Sequence, residues 1–349
     1  MRFGFAGTQR PNSFPTLTGY PKHRRVMTGT KRSFVGSDAM ENRGLLRLVH
    51  PFRRGIVDDW NEMEKIWKNC FELMEAQSDL HPVLLTEAPF TMQSDRVKTA
   101  EMFFETFQVP CLFFSSQAVL SLYSSGRTTG LVLDSGEGVS YAVPVYEGFA
   151  IENAIQRSDL GGTDVTKYLK LLLRKRGHRF ETSAETEIVR EIKQSTFISL
   201  NPNKDSKYLK PQKYTLPDGT EVALGTERFR CNELLFQPDL VGLECKGLQE
   251  LCHTSLKKSD IDLRMRLQES ILLSGGVTLT NGFGERLLSE MQKGKKGLNS
   301  KVKIYAPSNR EESTWIGGSV LASLGTFRRM WISKEEYDED PDIVNRKTF

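Results

Sequence analysis

GLVLDSGEGVSYAVPVYEG, residues 130–148, places two apolar runs on either side of a short turn that holds two glycines. Residues 131–133 predict a buried strand, the run that ends at Val145 predicts a second strand, and residues 134–138 predict the tip of a β-hairpin. Glycines at such a tip reach positive φ and let backbone N–H groups converge on a small anion. Asp134 ends the first strand, where its carboxylate is placed to hold a hydrated Mg²⁺ that bridges phosphates. A plain hairpin with an Asx turn explains the same residues, so the phosphate-binding interpretation needs support from other segments.

Two other segments place glycine pairs beside a strand end or a helix start. Residues 274–276, Ser-Gly-Gly, follow the apolar run 271–273 and precede a helix that we expect to start near Gly282. Residues 159–164 carry a second glycine pair just before another predicted helix, whose N-terminal amides favour negative charge. Three such junctions predict a nucleotide site. The sequence contains neither GxxxxGK[ST] nor GxGxxG, which excludes a P-loop and a Rossmann fingerprint.

Length and patterning predict a two-part α/β protein. The 349 residues are more than one hydrophobic core usually serves. Short apolar runs alternate with segments of helical periodicity, so we expect helices covering mixed sheets. The periodic faces at residues 97–107, 165–172 and 316–330 are predicted to be core. The apolar runs 82–85, 130–133, 139–145 and 271–273 are predicted to be buried strands.

Composition excludes several classes of protein. No apolar run approaches the roughly 20 residues of a membrane-spanning helix, and the first residues do not resemble a secretory signal, so we expect a cytoplasmic protein. Cysteines and histidines lack metal-site spacing, so a metal is expected to arrive with a ligand. The net charge is only +4, although the first 54 residues hold eleven basic and two acidic residues. This basic end is either a solvated surface or a docking face for an acidic partner, for which residues 335–342 of another copy are a candidate.

Five segments spread over the chain carry a family resemblance: LDSGEGV (133–139), SSQAVLSLYSSGRTTG (115–130), HPVLLTEAP (81–89), ILLSGGVTL (271–279) and STWIGGSVLASLGTF (313–327). Together with the terminal RKTF they resemble the actin family over essentially the whole length. Within the family, ELLFQPDLVG (233–242), KKSDIDLR (257–264) and the ending NRKTF resemble the centractin branch, the actin-related subunits of dynactin, more than conventional actin.

The resemblance implies the α/β fold of actin, Hsp70 and sugar kinases, with two RNase-H-like lobes around a cleft for ATP or ADP with Mg²⁺. It implies four subdomains. Subdomain 1 comprises residues 1–16, 50–124 and 313–349, subdomain 2 comprises 17–49, subdomain 3 comprises 125–160 and 244–312, and subdomain 4 comprises 161–243.

The resemblance also assigns site residues. Asp134, as the metal ligand, begins the second phosphate hairpin, Gly162 and Lys193 flank the ribose and adenine, and Gly275 and Gly276 back the base and phosphates. Gln117 and Asp134 become the catalytic residues, with Gln117 orienting the attacking water in a phosphoryl transfer governed by positioning and charge neutralisation. The full set of nucleotide-binding residues is Asp134, Ser135, Gly136, Glu137, Gly138, Gly162, Lys193, Gly275 and Gly276.

Three departures from the family pattern affect this expectation. In the family, a first phosphate hairpin of pattern D-N-G-S-G precedes the stretch that stands here at residues 2–7. We expect an upstream segment to carry it, and the alternative is an adapted protein that binds no nucleotide. Glu137 replaces an aspartate and extends the carboxylate by about 1.5 Å. Tyr141 replaces a histidine near the catalytic water, and a phenol with a pKa near 10 moves protons poorly at neutral pH. Hydrolysis is expected to be slow at most and weaker than binding.

Other segments predict assembly. Residues 23–36 resemble the loop by which an actin subunit grips its neighbour, and a heterologous contact of this kind propagates into a filament. The expected receptor is apolar and comprises Tyr123, Gly126, Thr128, Phe149, Leu321, Leu324 and Met330, although Leu321 and Leu324 are equally well explained as core. The first hypothesis is a short dynactin-type filament with other dynactin subunits, dynein and cargo adaptors as partners. The alternatives are a monomeric nuclear subunit of a chromatin-remodelling complex and, less favoured, a small-molecule kinase of the same fold.

Overall fold

Two compact units make up the chain in the computed structural model, which describes residues 1–22, 33–202, 210–293 and 301–347. Unit 1 comprises Met1–Arg127 and Glu312–Phe349, and unit 2 comprises Thr128–Glu311. The predicted two-part α/β architecture is confirmed, because each unit combines helices with sheets. The finer division into four subdomains stays a prediction.

Unit 1 holds ten strands, all short, among its described residues. The strands are β1 (Arg2–Phe3), β2 (Asn12–Ser13), β3 (Thr18–Pro21), β4 (Phe34–Val35), β5 (Leu46–Val49), β6 (Phe52–Arg53), β7 (Ile56–Val57), β8 (Val83–Glu87), β9 (Cys111–Ser116) and β18 (Ile332–Ser333). They form two-stranded sheets β1-β2 and β6-β7 and three-stranded sheets β4-β3-β5 and β18-β9-β8. In the last of these, β8 and β9 are parallel.

Helices of unit 1 surround a core rich in aromatic side chains. They are α1 (Ser37–Glu41), α2 (Trp60–Leu73), α3 (Gln93–Glu101), α4 (Gln117–Ser124), α11 (Ser313–Ser323), α12 (Lys334–Glu339) and α13 (Ile343–Arg346). Helix α2 begins where the Asp59 side chain accepts the amide of Glu62, and it buries Met63, Ile66 and Trp67. The Trp67 ring lies 5.0 Å from that of Phe103, so α2 is held against the segment that follows α3.

Unit 2 is built around one mixed sheet. The described strands of unit 2 are β10 (Gly130–Ser135), β11 (Ser140–Tyr146), β12 (Phe149–Ala150), β13 (Gln156–Ser158), β14 (Gln212–Thr215), β15 (Glu221–Leu224), β16 (Ile271–Ser274) and β17 (Ile304–Tyr305). All but β14 and β15, which pair with each other, belong to this sheet. The helices of unit 2 are α5 (Gly162–Lys175), α6 (Ser183–Lys193), α7 (Glu227–Glu233), α8 (Leu248–Lys258), α9 (Ile261–Gln268) and α10 (Phe283–Gln292).

The central sheet of unit 2 has the order β12-β11-β10-β16-β17, with β13 paired to β11. Strands β10, β16 and β17 are parallel, and β11 runs antiparallel to β10 as the second arm of the hairpin. Leu131, Leu133 and Leu273 are fully buried in a core that the helices cover. Near-continuous apolar strands are expected where both faces of a sheet are covered, as the runs 130–133 and 271–273 predicted.

Helical periodicity proved a partial guide to the core. The face at residues 97–107 is buried at Ala100, Phe103 and Phe107, but α3 gives way to a π-helical turn at Met102–Thr106. The prediction that residues 316–330 present a core face is wrong for Val320 and Leu324, which are 47% and 49% exposed. Helix α11 ends at Ser323, so the pattern continues past the helix into a 3₁₀ turn with a different orientation. Within the described ranges, no helix combines the length and apolarity needed to cross a membrane.

Candidate functional site

The predicted hairpin of unit 2 is confirmed, and hydrogen bonds close its tip. Ser135 pairs with Ser140, their hydroxyls lie 2.8 Å apart, and the Gly136 amide donates to the Val139 carbonyl at 3.0 Å. The expectation that the tip glycines use positive φ is wrong, because neither Gly136 nor Gly138 does so. The amide of Gly136 closes the turn, and a Cβ at this position would make only an ordinary contact, 3.7 Å from the Val139 carbonyl oxygen.

The glycine pair before α5 packs directly on this tip. The amides of Gly162 and Thr163 donate to the carbonyls of Gly136 and Glu137 at 3.1 and 2.7 Å. A Cβ on Gly161 would lie 2.7 Å from the Glu137 carbonyl oxygen, closer than real contacts allow. The expectation that these first helical amides attract an anion is therefore corrected, since hairpin carbonyls already accept them. The glycines permit close packing of loop on hairpin.

Glu137 and Lys193, both predicted site residues, meet at the hairpin tip. The Lys193 ammonium donates to the Gly162 carbonyl at 3.0 Å and to Glu137 Oε2 at 3.3 Å. Arg190 pairs with Glu137 Oε1 at 3.1 Å, and the Thr163 hydroxyl donates to the same oxygen at 3.2 Å. Burial lowers the pKa of Lys193, and the attraction of Glu137 only partly opposes this shift. The Glu137 carboxylate thus links α6 to the hairpin tip.

Asp134 lies in a row of polar side chains that crosses the end of the sheet. It is the register partner of Tyr141 on β11 and of Ser274 on β16, so the three side chains share one face. Burial raises the pKa of Asp134 to about 6, although a hydrogen bond with Ser274 opposes the shift. The carboxyl group is therefore mostly ionised at pH 7 and becomes protonated in mild acid. A nearby cation would favour its charged form.

Gly275 brings the second strand end against Asp134. Its φ is +86°, and a Cβ at this position would lie 2.5 Å from Asp134 Oδ1 and collide with the Ser135 carbonyl. A Cβ on Gly276, by contrast, would meet nothing within 4 Å. The backbone therefore approaches the Asp134 carboxylate closely and leaves open space immediately beyond, which is how a ligand ring or phosphate would be accommodated.

These observations test whether a magnesium nucleotide fits unit 2. In the part of the chain that the structure describes, no group of three His, Cys, Asp or Glu side chains forms a metal site. A metal at Asp134 would thus take its remaining ligands from phosphate oxygens and water, as Mg²⁺ commonly does. The open space at Gly276 and a buried, unpartnered hydroxyl on Tyr141 fit a polar ligand beside the carboxylate.

Unit 2 brings together nine of the ten predicted site residues: Asp134, Ser135, Gly136, Glu137, Gly138, Gly162, Lys193, Gly275 and Gly276. Gln117 is the first residue of α4 in unit 1, directly after β9, and is half-buried. Its water-orienting role stays a prediction.

Two participants in the site were not predicted. Arg190 lies one helical turn before Lys193 and pairs with both Glu137 and Glu187, so the spacing 187, 190, 193 on α6 was an available signal. The role of Ser274 as a partner of Asp134 depends on strand register between segments 140 residues apart, which no local pattern reveals.

The predicted assembly residues are only partly covered by the structure. Residues 23–32 of the proposed subunit-contact loop lie outside the described residues. In unit 1, Leu324 is 49% exposed and Leu321 and Met330 are half-buried, so Leu324 is not core. In unit 2, Phe149 is 60% exposed. Each unit therefore carries exposed apolar side chains among the residues assigned to contact a neighbouring subunit.

Comparison with known proteins gives two findings. A family model described as Actin matches residues 1–349. A protein of Neurospora crassa described as "Actin-like protein" is 50% identical over 361 aligned positions, which cover 99% of this chain and 95% of its relative.

Proposed function

The chain belongs to the actin family, and on that basis and from the geometry of unit 2 we propose that it binds ATP or ADP with Mg²⁺ and assembles into filaments. Proteins of this family generally bind an adenine nucleotide with a divalent metal. The observation that carries the proposal is the position of Asp134, at the end of a buried strand, against the positive-φ backbone of Gly275 and beside the open space at Gly276.

In this proposal the protein's own residues hold and orient the phosphates. Asp134 holds the hydrated metal, which supplies charge neutralisation to the phosphates when it is bound. Lys193, which Glu137 keeps oriented, flanks the ribose and adenine. Tyr141 stands where the family has a histidine, and a phenol with a pKa near 10 exchanges protons poorly at pH 7, so turnover is slow and the nucleotide acts mainly as a structural ligand.

Calorimetry of ATP binding with and without Mg²⁺ tests the site. Asp134→Asn should abolish the Mg²⁺-dependent part of the affinity, because the amide cannot supply the anionic oxygen that the metal requires. The matched control is Asp218→Asn, which alters an exposed aspartate in the turn between β14 and β15. If Asp134→Asn and the parent protein bind with the same Mg²⁺ dependence, the assignment of the site is wrong.

The finer proposal is a short dynactin-type filament in the cytoplasm, working with other dynactin subunits, dynein and cargo adaptors in microtubule-based transport. It is supported by the segments 233–242 and 257–264 and by the chain ending, which resemble the centractin branch. Sedimentation of the purified protein with and without Mg-ATP separates this role from that of a monomeric nuclear subunit in chromatin remodelling. Nucleotide-dependent pelleting supports the filament, whereas a protein that stays monomeric under all conditions contradicts it.

A further inference from the structure

Tyr141 occupies the middle of the polar row at the end of the unit 2 sheet. Its register partners are Asp134 on β10 and Arg157 on β13, and Ser274 continues the row on the far side of Asp134. Side chains of directly opposed residues point to the same face of a sheet, so the phenol lies beside the Asp134 carboxyl group on that face. Residues 131–133 of β10 and 142–145 of β11 are apolar and buried, so this row lies where the apolar part of the sheet ends.

The hydroxyl of Tyr141 is buried without a hydrogen-bond partner. Tyr141 is 2% exposed, and its Oη is among the buried side-chain atoms that find no partner within the described residues. A buried hydroxyl that forgoes water without gaining another partner destabilises the folded state. Such an atom therefore requires an explanation, and one explanation is a bound ligand that accepts its hydrogen bond.

The neighbouring charged groups leave the hydroxyl as a donor. The Arg157 guanidinium lies over the phenol ring, 5.8 Å from its centroid, and pairs with Asp159 at 2.9 Å. Burial raises the pKa of Tyr141, Arg157 opposes the shift, and the carboxylates of Asp159 and Asp134 add to it. A phenol with an ordinary pKa near 10 is already protonated at neutral pH, and an anionic oxygen is the acceptor that would best satisfy its hydroxyl.

We propose that the Tyr141 hydroxyl donates a hydrogen bond to a phosphate oxygen of the nucleotide bound at Asp134, which makes Tyr141 a ligand-contacting residue. This inference rests on the proposed nucleotide site and names one of its contacts. It assigns a chemical role to the residue that distinguishes this chain from the family pattern, where a histidine stands at the same place. A tyrosine at this position contributes affinity for phosphate, and its phenol does not change charge near neutral pH.

Tyr141→Phe removes only the hydroxyl, so its effects on the free and bound protein should differ in sign. Without nucleotide, the variant should melt at the same temperature as the parent or higher, because an unpaired buried polar atom has been removed. With Mg-ADP, the variant should gain less melting temperature than the parent and bind about tenfold more weakly, as expected for a lost hydrogen bond to a charged acceptor. Tyr146→Phe, on the same strand and half-buried, is the matched control and should behave as the parent.

Fluorine NMR of protein labelled with 3-fluorotyrosine provides a readout independent of affinity. The chain has nine tyrosines, and the resonance that disappears in Tyr141→Phe identifies the residue. Adding Mg-ADP should shift this resonance, and Asp134→Asn should prevent the shift.

Three results would overturn the inference. If Tyr141→Phe binds Mg-ADP as tightly as the parent and the assigned resonance does not move, the hydroxyl does not contact the ligand, although the nucleotide site itself stands. If Tyr141→Phe is destabilised without nucleotide, the hydroxyl has a structural partner and the inference is wrong. If the parent protein binds no Mg-ADP, the proposed nucleotide site fails, and the inference fails with it.

Discussion

At the scale of single residues, Gly275 and Gly276 are adjacent glycines, and only the first has no room for a side chain. Gly275 has φ +86° and faces Asp134 Oδ1 and the Ser135 carbonyl, whereas a Cβ on Gly276 would meet nothing within 4 Å. Gly275→Ala should therefore cost about 3 kcal/mol of stability, from the strained backbone conformation and the collision together. Gly276→Ala should change stability by no more than about 0.5 kcal/mol, as a substitution in open space does.

Urea unfolding of the two alanine variants measures this difference directly, because both replace the same residue type at neighbouring positions. Equal losses of unfolding free energy in both variants would mean that the close approach of the backbone to Asp134 does not constrain the chain.

The sequence predicts a site residue when the role of that residue follows from its neighbours along the chain. Asp134 was predicted from an apolar strand that ends in a turn, and Gly275 from a glycine pair at a strand end; both are local patterns. The positive φ expected at Gly136 is wrong, and the hydrogen bond that its amide donates to the Val139 carbonyl follows from the length of the tip. The spacing of residues 187, 190 and 193 places Arg190 on the same face of α6 as Lys193, but its contact with Glu137 joins segments 53 residues apart and depends on the fold.

At the scale of secondary structure, α2 is joined to β3 by a buried carboxylate. Glu62 on α2 accepts hydrogen bonds from the hydroxyls of Thr18 and Tyr20 on β3 and, at 2.7 Å, from the Lys65 ammonium. Burial alone would raise the pKa of Glu62, but these hydrogen bonds outweigh it, and the pKa is lowered below 4.5. Charged Glu62 is thus a stabilising link between a helix and a neighbouring sheet.

Glu62→Gln should reduce the stability of unit 1 by about 2 kcal/mol at pH 7, because a charged acceptor of several hydrogen bonds is replaced by a neutral amide. The sign of the pH dependence follows from the lowered pKa. The contribution of Glu62 is complete above its unfolded-state value of 4.5 and is lost as the pH falls through the lower folded-state value. The difference in stability between parent and variant should therefore shrink in acid below pH 4.5.

Denaturant unfolding at a series of pH values between 7 and 3 measures this difference, with Glu64→Gln on the same helix as control. A gap between parent and Glu62→Gln that stays constant with pH would contradict a role for the ionised carboxylate.

The positions of most strands near the site and the β10–β11 hairpin were predictable, and the pairing of β10 with β16 was not. The apolar runs 130–133 and 271–273 correspond to β10 and β16, each extended by the polar residue or residues that form the site edge. Strand β10 lies between β11 and β16, and its pairing with β16 joins segments 140 residues apart. The error at residues 316–330 shows the opposite limit, because periodicity alone does not distinguish an apolar face directed at the core from one that remains exposed.

At the scale of the whole molecule, length alone predicted two parts, but unit 1 is assembled from both ends of the chain. Only the family resemblance anticipated that arrangement, because no local pattern indicates that residues 312–349 return to the unit formed by residues 1–127. The side chains of Val320 and Leu324 are apolar and exposed on the surface of unit 1. In the proposed filament they are available for contact with a neighbouring subunit.

Replacing both Val320 and Leu324 by Ser should weaken assembly without weakening the fold. Each side chain is about half exposed, so burying what remains contributes about 1 kcal/mol per residue, and their loss should raise the critical concentration for pelleting about tenfold or more. The melting temperature of the monomer should change little, because neither side chain belongs to the core of unit 1. Leu171→Ser on α5 removes a leucine that is 44% exposed and is the control for a general effect of surface polarity on sedimentation. If the double variant pellets like the parent protein, or if Leu171→Ser impairs pelleting to the same degree, this surface of unit 1 is not a subunit contact.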